Sequence, residues 1–175
     1  PYLIYLRVLW ERYGSELNEE ARGGPIRLTS FQEDGIWRAE RVLEHRHGVL
    51  ISDGVGLGKT FVGGEILRRT IYENRQRALL ISPASLRDGT WARFLDRFSI
   101  KVENYSFEEL ASDAQLGDTR SVLNHDRNEY SLIVIDEAHA LRNPDTDRAR
   151  ALLRLLEGEP PKDIVLMTAT PVNNT

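Results

Sequence analysis

Short apolar runs alternate along the chain with longer stretches whose apolar positions recur every three or four residues. Five runs read as buried strands: Gly48 to Ser52, Arg77 to Ser82 (broken by Pro83), Ile100 to Tyr105, Leu132 to Ile135, and Asp163 to Met167. The intervening stretches have helical spacing. Thr29 or Ser30 caps a predicted helix that runs through about His45, with Ile36, Trp37, Val42 and Leu43 on one side. Phe61 to Tyr72 carries Phe61, Val62, Ile66 and Leu67, and Ser85 to Phe98 turns Trp91, Phe94 and Leu95 inward. Phe107 to Ala111 is a short helix, and Asp145 to Leu156 a longer one with Ala149, Leu152, Leu153, Leu155 and Leu156. At the start, Leu3, Leu6, Leu9, Trp10 and Tyr13 predict an amphipathic helix, followed by a polar linker from Gly14 to Arg27. Strands alternating with helices predict an α/β fold, a mostly parallel sheet with helices on both faces. The expected division is an N-terminal helix and linker over residues 1–27 and a single lobe over 28–175.

Composition narrows the class. With 175 residues, 41% hydrophobic and 29% charged, the chain is long enough for a sizeable core. No apolar run reaches the length of a membrane-spanning helix, and zero cysteines exclude disulfides and thiolate metal sites. These features fit a cytoplasmic protein, nucleoid-associated if prokaryotic. A net charge of −4 gives no global electrostatic case for nucleic acid, so such binding would need a local basic face. The chain begins at Pro1 and stops directly after a motif, as expected of a piece of a longer polypeptide.

Two stretches carry candidate chemistry. Asp53, Gly54, Val55, Gly56, Leu57, Gly58, Lys59 and Thr60 stand between a strand and a helix, the context of a phosphate-binding loop. Glycines let backbone N–H groups face a phosphate chain, Lys59 supplies a mobile charge, and the Thr60 hydroxyl suits Mg²⁺. The helix N-terminus adds partial positive charge at the same place. The general loop pattern has Gly where this chain has Asp53. The second stretch is Leu132 to His139, in which Asp136 and Glu137 follow a strand at the edge where parallel sheets bind ligands. Paired with the loop, Asp136 is expected to hold Mg²⁺ and Glu137 to polarise the attacking water.

Asp136-Glu137-Ala138-His139 with Asp53 to Thr60 upstream resembles the first RecA-like lobe of superfamily 2 helicase-type ATPases, more narrowly their Swi/Snf branch. Further pieces match in order. Phe31-Gln32 resembles the branch's adenine-reading motif, and a glutamine amide suits an adenine edge. Ser82-Pro83-Ala84-Ser85-Leu86 with Trp91 resembles a motif that lies near the family's nucleic-acid track. Asn104-Tyr105-Ser106 with Glu108-Glu109-Leu110 loosely resembles a later one, and Leu141-Arg142-Asn143 stands where the family usually has Lys-Asn. Leu166 to Asn174 resembles the motif that couples nucleotide state to the track, through Thr168 and Thr170. The resemblance implies a RecA-like phosphate-loop lobe that takes ATP and Mg²⁺, with His139 linking the ATP site to the coupling residues. It also implies duplex DNA, rather than RNA, as partner, and a second RecA-like lobe with the arginine fingers in the same parent chain. Asp at position 53 is common in this branch; Ala169, where eukaryotic remodellers carry Gly, points to a prokaryotic or divergent member. The rival readings are another phosphate-loop ATPase or kinase, and a nucleotide-gated binding module without turnover.

Other conspicuous residues have plainer readings. His45-Arg46-His47 reads as ordinary cations at a helix C-terminus, Arg68, Arg69, Arg75 and Arg77 as a solvated basic face, and Trp37 and Trp91 as core.

Overall fold

The computed structural model describes residues 26–52, 58–112 and 122–169. The expected N-terminal helix and most of the linker, the loop positions Asp53 to Leu57, and Thr170 lie outside the described residues. Five strands, β1 (Gly48–Ile51), β2 (Arg77–Ser82), β3 (Glu103–Ser106), β4 (Tyr130–Ile135) and β5 (Asp163–Met167), form one all-parallel sheet in the order β1-β5-β4-β2-β3. The helices are α1 (Ser30–Arg46), α2 (Lys59–Arg68), α3 (Ala84–Leu86), α4 (Ala92–Arg97), α5 (Phe107–Ser112) and α6 (Asp147–Leu156). A π-helical turn, Arg69–Glu73, extends α2, and another, Arg87–Trp91, joins α3 to α4.

Alternate strand residues face opposite ways, and both faces are dry. Ala78, Leu80, Leu132, Val134, Val165 and Met167 pack with α1, α2, Trp91 and Phe94. Leu79, Ile81, Ile133 and Ile135 pack with Phe107, Leu110, Ala151 and Leu155 on the other side. This two-sided burial explains why these strands read as unbroken apolar runs. Ile26, at the end of the expected linker, is buried with the first cluster.

Helix α1 begins in a capping box: Thr29 Oγ1 accepts from the Gln32 N–H, and Gln32 Oε1 accepts from the Thr29 N–H at 3.0 Å. Its buried stripe is Gln32, Ile36, Ala39 and Leu43. The expectation that Trp37 and Val42 share this face is corrected: they are 45% and 40% exposed. Each stands roughly a quarter turn or more from the stripe, which the small Ala39 and the amide of Gln32 complete instead. The Trp37 ring lies under the Arg41 guanidinium, 5.4 Å from its centroid. The basic stretch is also corrected in part, because Arg68 is buried and Arg69 half-buried in ion pairs with Glu65, Glu73 and Glu40.

Candidate functional site

Strand order places the motif ends side by side. β5 lies between β1 and β4, so the segments leaving β1, β5 and β4 emerge next to one another at the carboxyl edge. Two hydrogen bonds carry the ladder one step past the strands. Asp136 N–H donates to the Ile81 carbonyl at 2.8 Å, and Thr168 N–H donates to the Ile51 carbonyl at 3.1 Å. Asp136 and Thr168 are thereby held by main-chain bonds, and both are buried. Ser82 ends β2 on the other side of β4.

The loop enters α2 through Gly58, whose φ of 82° lies in the left-handed region that glycine adopts without a Cβ clash. A second constraint acts here: a Cβ on Gly58 would sit 2.3 Å from Gln32 Nε2. The two motifs are far apart in sequence yet touch in the fold. Because Gln32 Oε1 is held by the Thr29 N–H, its amide N lies on the loop side. Lys59 and Thr60 open the first turn of α2, half-buried.

Asp136 has the most constrained side chain of the group. Its Oδ2 accepts from Trp91 Nε1–H at 2.9 Å, and its Oδ1 accepts from the Glu137 N–H at 2.9 Å. Burial pushes its carboxyl above the ordinary value; the two hydrogen bonds and the charge of Lys59 oppose that shift without cancelling it. Lys59 and Asp136 therefore share one electrostatic environment. Glu137 adopts φ 53° and ψ 46°, an uncommon conformation for a non-glycine residue. Its Oε2 lies 3.0 Å from Nδ1 of the half-exposed His139.

Of the residues singled out in sequence, Gln32, Gly58, Lys59, Thr60, Asp136, Glu137, His139 and Thr168 all stand at the carboxyl ends of strands or in the helix turns beside them. Asp53, Gly54, Val55, Gly56, Leu57 and Thr170 are outside the described residues. Sequence reading placed Trp91 in the core, which is correct, but missed its hydrogen bond to Asp136. The signal available was an indole, whose N–H needs a partner once buried. His47 pairs with Asp163 at 2.8 Å, and no group of three metal-ligating side chains occurs among the described residues. The oxygen donors Asp136 and Thr60 beside Lys59 fit a hard divalent cation with phosphates.

The sequence resembles known proteins along most of its length. A family model described as "Type III restriction enzyme, res subunit" matches residues 25–173. The chain is 29% identical over 155 residues to "SWI/SNF-related matrix-associated actin-dependent regulator of chromatin subfamily A-like protein 1" of Xenopus tropicalis, covering 82% of this chain and 16% of that protein. It is 30% identical over 168 residues to "Uncharacterized ATP-dependent helicase YqhH" of Bacillus subtilis, covering 89% of this chain and 29% of the relative. Likewise it is 30% identical over 191 residues to "RNA polymerase-associated protein RapA" of Proteus mirabilis, with 95% of this chain and 20% of the relative covered. The chain thus spans under a third of these relatives. Among solved structures, "Sulfolobus solfataricus SWI2/SNF2 ATPase core in complex with dsDNA" superposes with a TM-score of 0.67 at 22% identity, over 85% of this chain and 33% of that one.

Proposed function

We propose, for a chain that belongs to the family described as "Type III restriction enzyme, res subunit" and forms the first RecA-like lobe of a Swi/Snf-branch superfamily 2 helicase-like ATPase, that it binds Mg·ATP and primes it for hydrolysis in a motor acting on duplex DNA. The supporting observation is the adjacency of β1, β5 and β4, which brings the phosphate-loop end, the coupling segment and the Asp-Glu pair to one edge.

Each residue has a physical task in this reading. Lys59 and the Gly58 amide would take phosphate charge, and Thr60 and Asp136 would hold Mg²⁺, which when bound would supply charge neutralisation at the phosphates. Glu137, its carboxylate steadied by His139, accepts a proton from the attacking water. Gln32 presents its amide N to the adenine edge. Thr168, one residue past β5 and bonded to β1, passes the nucleotide state on together with Thr170. A phosphate turnover assay on the parent protein, with and without duplex DNA, tests the reading. DNA-stimulated ATP hydrolysis is expected; tight nucleotide binding with no turnover in either condition would make the protein a nucleotide-gated binding module instead.

A further inference from the structure

We infer that Trp91 is a positioning residue for the nucleotide site, holding the Asp136 carboxylate in the orientation that a phosphate-bound divalent cation needs. The inference rests on the reading of Asp136 as the metal-side carboxylate. Trp91 and Asp136 are both buried, and the indole N–H donates to Oδ2 at 2.9 Å. The other oxygen is fixed by the Glu137 N–H, so the carboxylate is anchored at both ends. With one donor on each oxygen, the remaining lone pairs have a set direction and the carboxylate plane cannot swing.

The placement of Trp91 is itself built by several contacts. It closes the π-helical turn Arg87–Trp91, a geometry found often at functional sites. That turn continues α3, which starts immediately beyond β2, and Arg87 at its start is paired with Asp88 and Glu109. The ring packs edge-on against Phe94, with centroids 5.7 Å apart, and a Cβ on Gly63 of α2 would lie 3.5 Å from it. The indole therefore spans the space between the α2 layer and the end of β4. A core residue that served only to fill this volume could be Phe or Leu; the directed N–H is what tryptophan adds.

The test uses the 175-residue chain and a fluorescent ATP analogue, titrated with Mg²⁺ and separately in EDTA. Trp91 is replaced by Phe, and in a second variant by benzothienylalanine, which keeps the bicyclic shape and lacks the N–H. The Mg²⁺ concentration needed for tight binding should rise about tenfold in both, the order expected for losing a hydrogen bond to a charged group. Affinity in EDTA should stay unchanged. Asp136→Asn runs alongside. If Asp136→Asn abolishes the Mg²⁺ response while both Trp91 variants keep the wild-type response, the Trp91 proposal is overturned and Asp136 retains its role. If Asp136→Asn also responds as wild type, the metal-side reading fails and the proposal falls with it. A third measurement leaves Trp91 intact: in a Trp10→Phe, Trp37→Phe background its indole emission should shift on adding Mg·ATP and not on adding ATP in EDTA. A silent indole, in a protein that binds Mg·ATP, would overturn the proposal even if the substituted variants failed to fold.

Discussion

At Gly58 a side chain is excluded by both its positive φ and the amide of Gln32, so in our reading this residue ties base recognition to phosphate recognition. Lys59, the next residue, is half-buried at the start of α2 and acts on Asp136 through its charge. Lys59→Ala should abolish nucleotide binding while leaving the fold intact. Calorimetric titration with Mg·ATP beside circular dichroism checks this, and an unchanged affinity would refute the role given to the loop. Gln32 carries two tasks at once, because its Oε1 closes the capping box while its Nε2 lies against Gly58. Gln32→Glu retains an acceptor for the Thr29 N–H but removes the amide donor, so it separates the tasks. Its thermal midpoint should stay close to wild type, while the preference for ATP over GTP falls by about 1 kcal/mol, the worth of the one hydrogen bond that Nε2 can donate to the base. Gln32→Ala should lose about 1 kcal/mol of stability as well, as a broken cap does. A wild type with no preference for ATP would sink the assignment. Gln32 could be found from sequence, since Thr-x-x-Gln before an apolar run is a cap signature. Trp91–Asp136 could not, because a bond between side chains 45 residues apart exists only once β2, α4 and β4 are packed.

Among the elements, α2 shows how much of a helix is hidden from its own pattern. Apolar periodicity marked its inward face at Val62, Ile66 and Leu67, and these are buried as expected. The same periodicity assigned Arg68 and Arg69 to water, whereas both converge on Glu65, whose side chain is only 4% exposed. Glu65 Oε2 accepts from Arg68 Nε at 2.8 Å, and Oε1 accepts from Arg68 Nη2 and Arg69 Nε at 2.9 Å each. Arg69 reaches on to Glu40 of α1, so the network fastens α1 to α2 at the end away from the nucleotide site. A helical-face reading scores each charge as polar and cannot register a partner on another helix. Burial alone would push the Glu65 carboxyl up, but hydrogen bonds and charge from Arg68 and Arg69 win and hold it below its ordinary value. A depressed folded value means that this stabilisation is present above the ordinary carboxylate range and is lost as pH falls through the folded value. Glu65→Ala should cost about 1.5–3 kcal/mol at neutral pH, because buried Arg68 and half-buried Arg69 lose the carboxylate they share and keep only Glu73 and Glu40. Urea denaturation at pH 7 measures it. The same variant should lose less stability than wild type on acidification, and equal acid slopes would show that the network contributes nothing.

For the molecule as a whole, the alternation of strands and helices was enough to read a parallel sheet, but not the order β1-β5-β4-β2-β3 that puts β5 between β1 and β4. Strand order depends on how crossovers run across the sheet and on burial of both its faces, which no single segment encodes. The lobe offers positive charge at Lys59 and orienting carboxylates, but in our reading the arginine that stabilises the transition state comes from the second lobe. The 175-residue chain should therefore bind Mg·ATP and hydrolyse it very slowly with or without DNA; robust DNA-stimulated turnover by the chain alone would refute this. The last prediction concerns the parent protein: it should track along duplex DNA without separating its strands. The carboxyl edge provides no exposed aromatic shelf for unpaired bases in the Ser82–Trp91 stretch, because Trp91 is buried against Asp136 and Phe94. Beyond Pro83 that stretch exposes Ser85 and Thr90, whose hydroxyls suit phosphates rather than base edges. Sequence preference should then be weak and affinity should fall steeply with salt. A net charge of −4 requires that this grip come from local surface such as the helical turn from Pro83 to Arg87 and from the second lobe. Displacement of a triplex-forming strand, measured beside unwinding of a forked duplex, decides the point. Displacement without unwinding is expected; efficient unwinding without displacement would place the parent protein with strand-separating helicases.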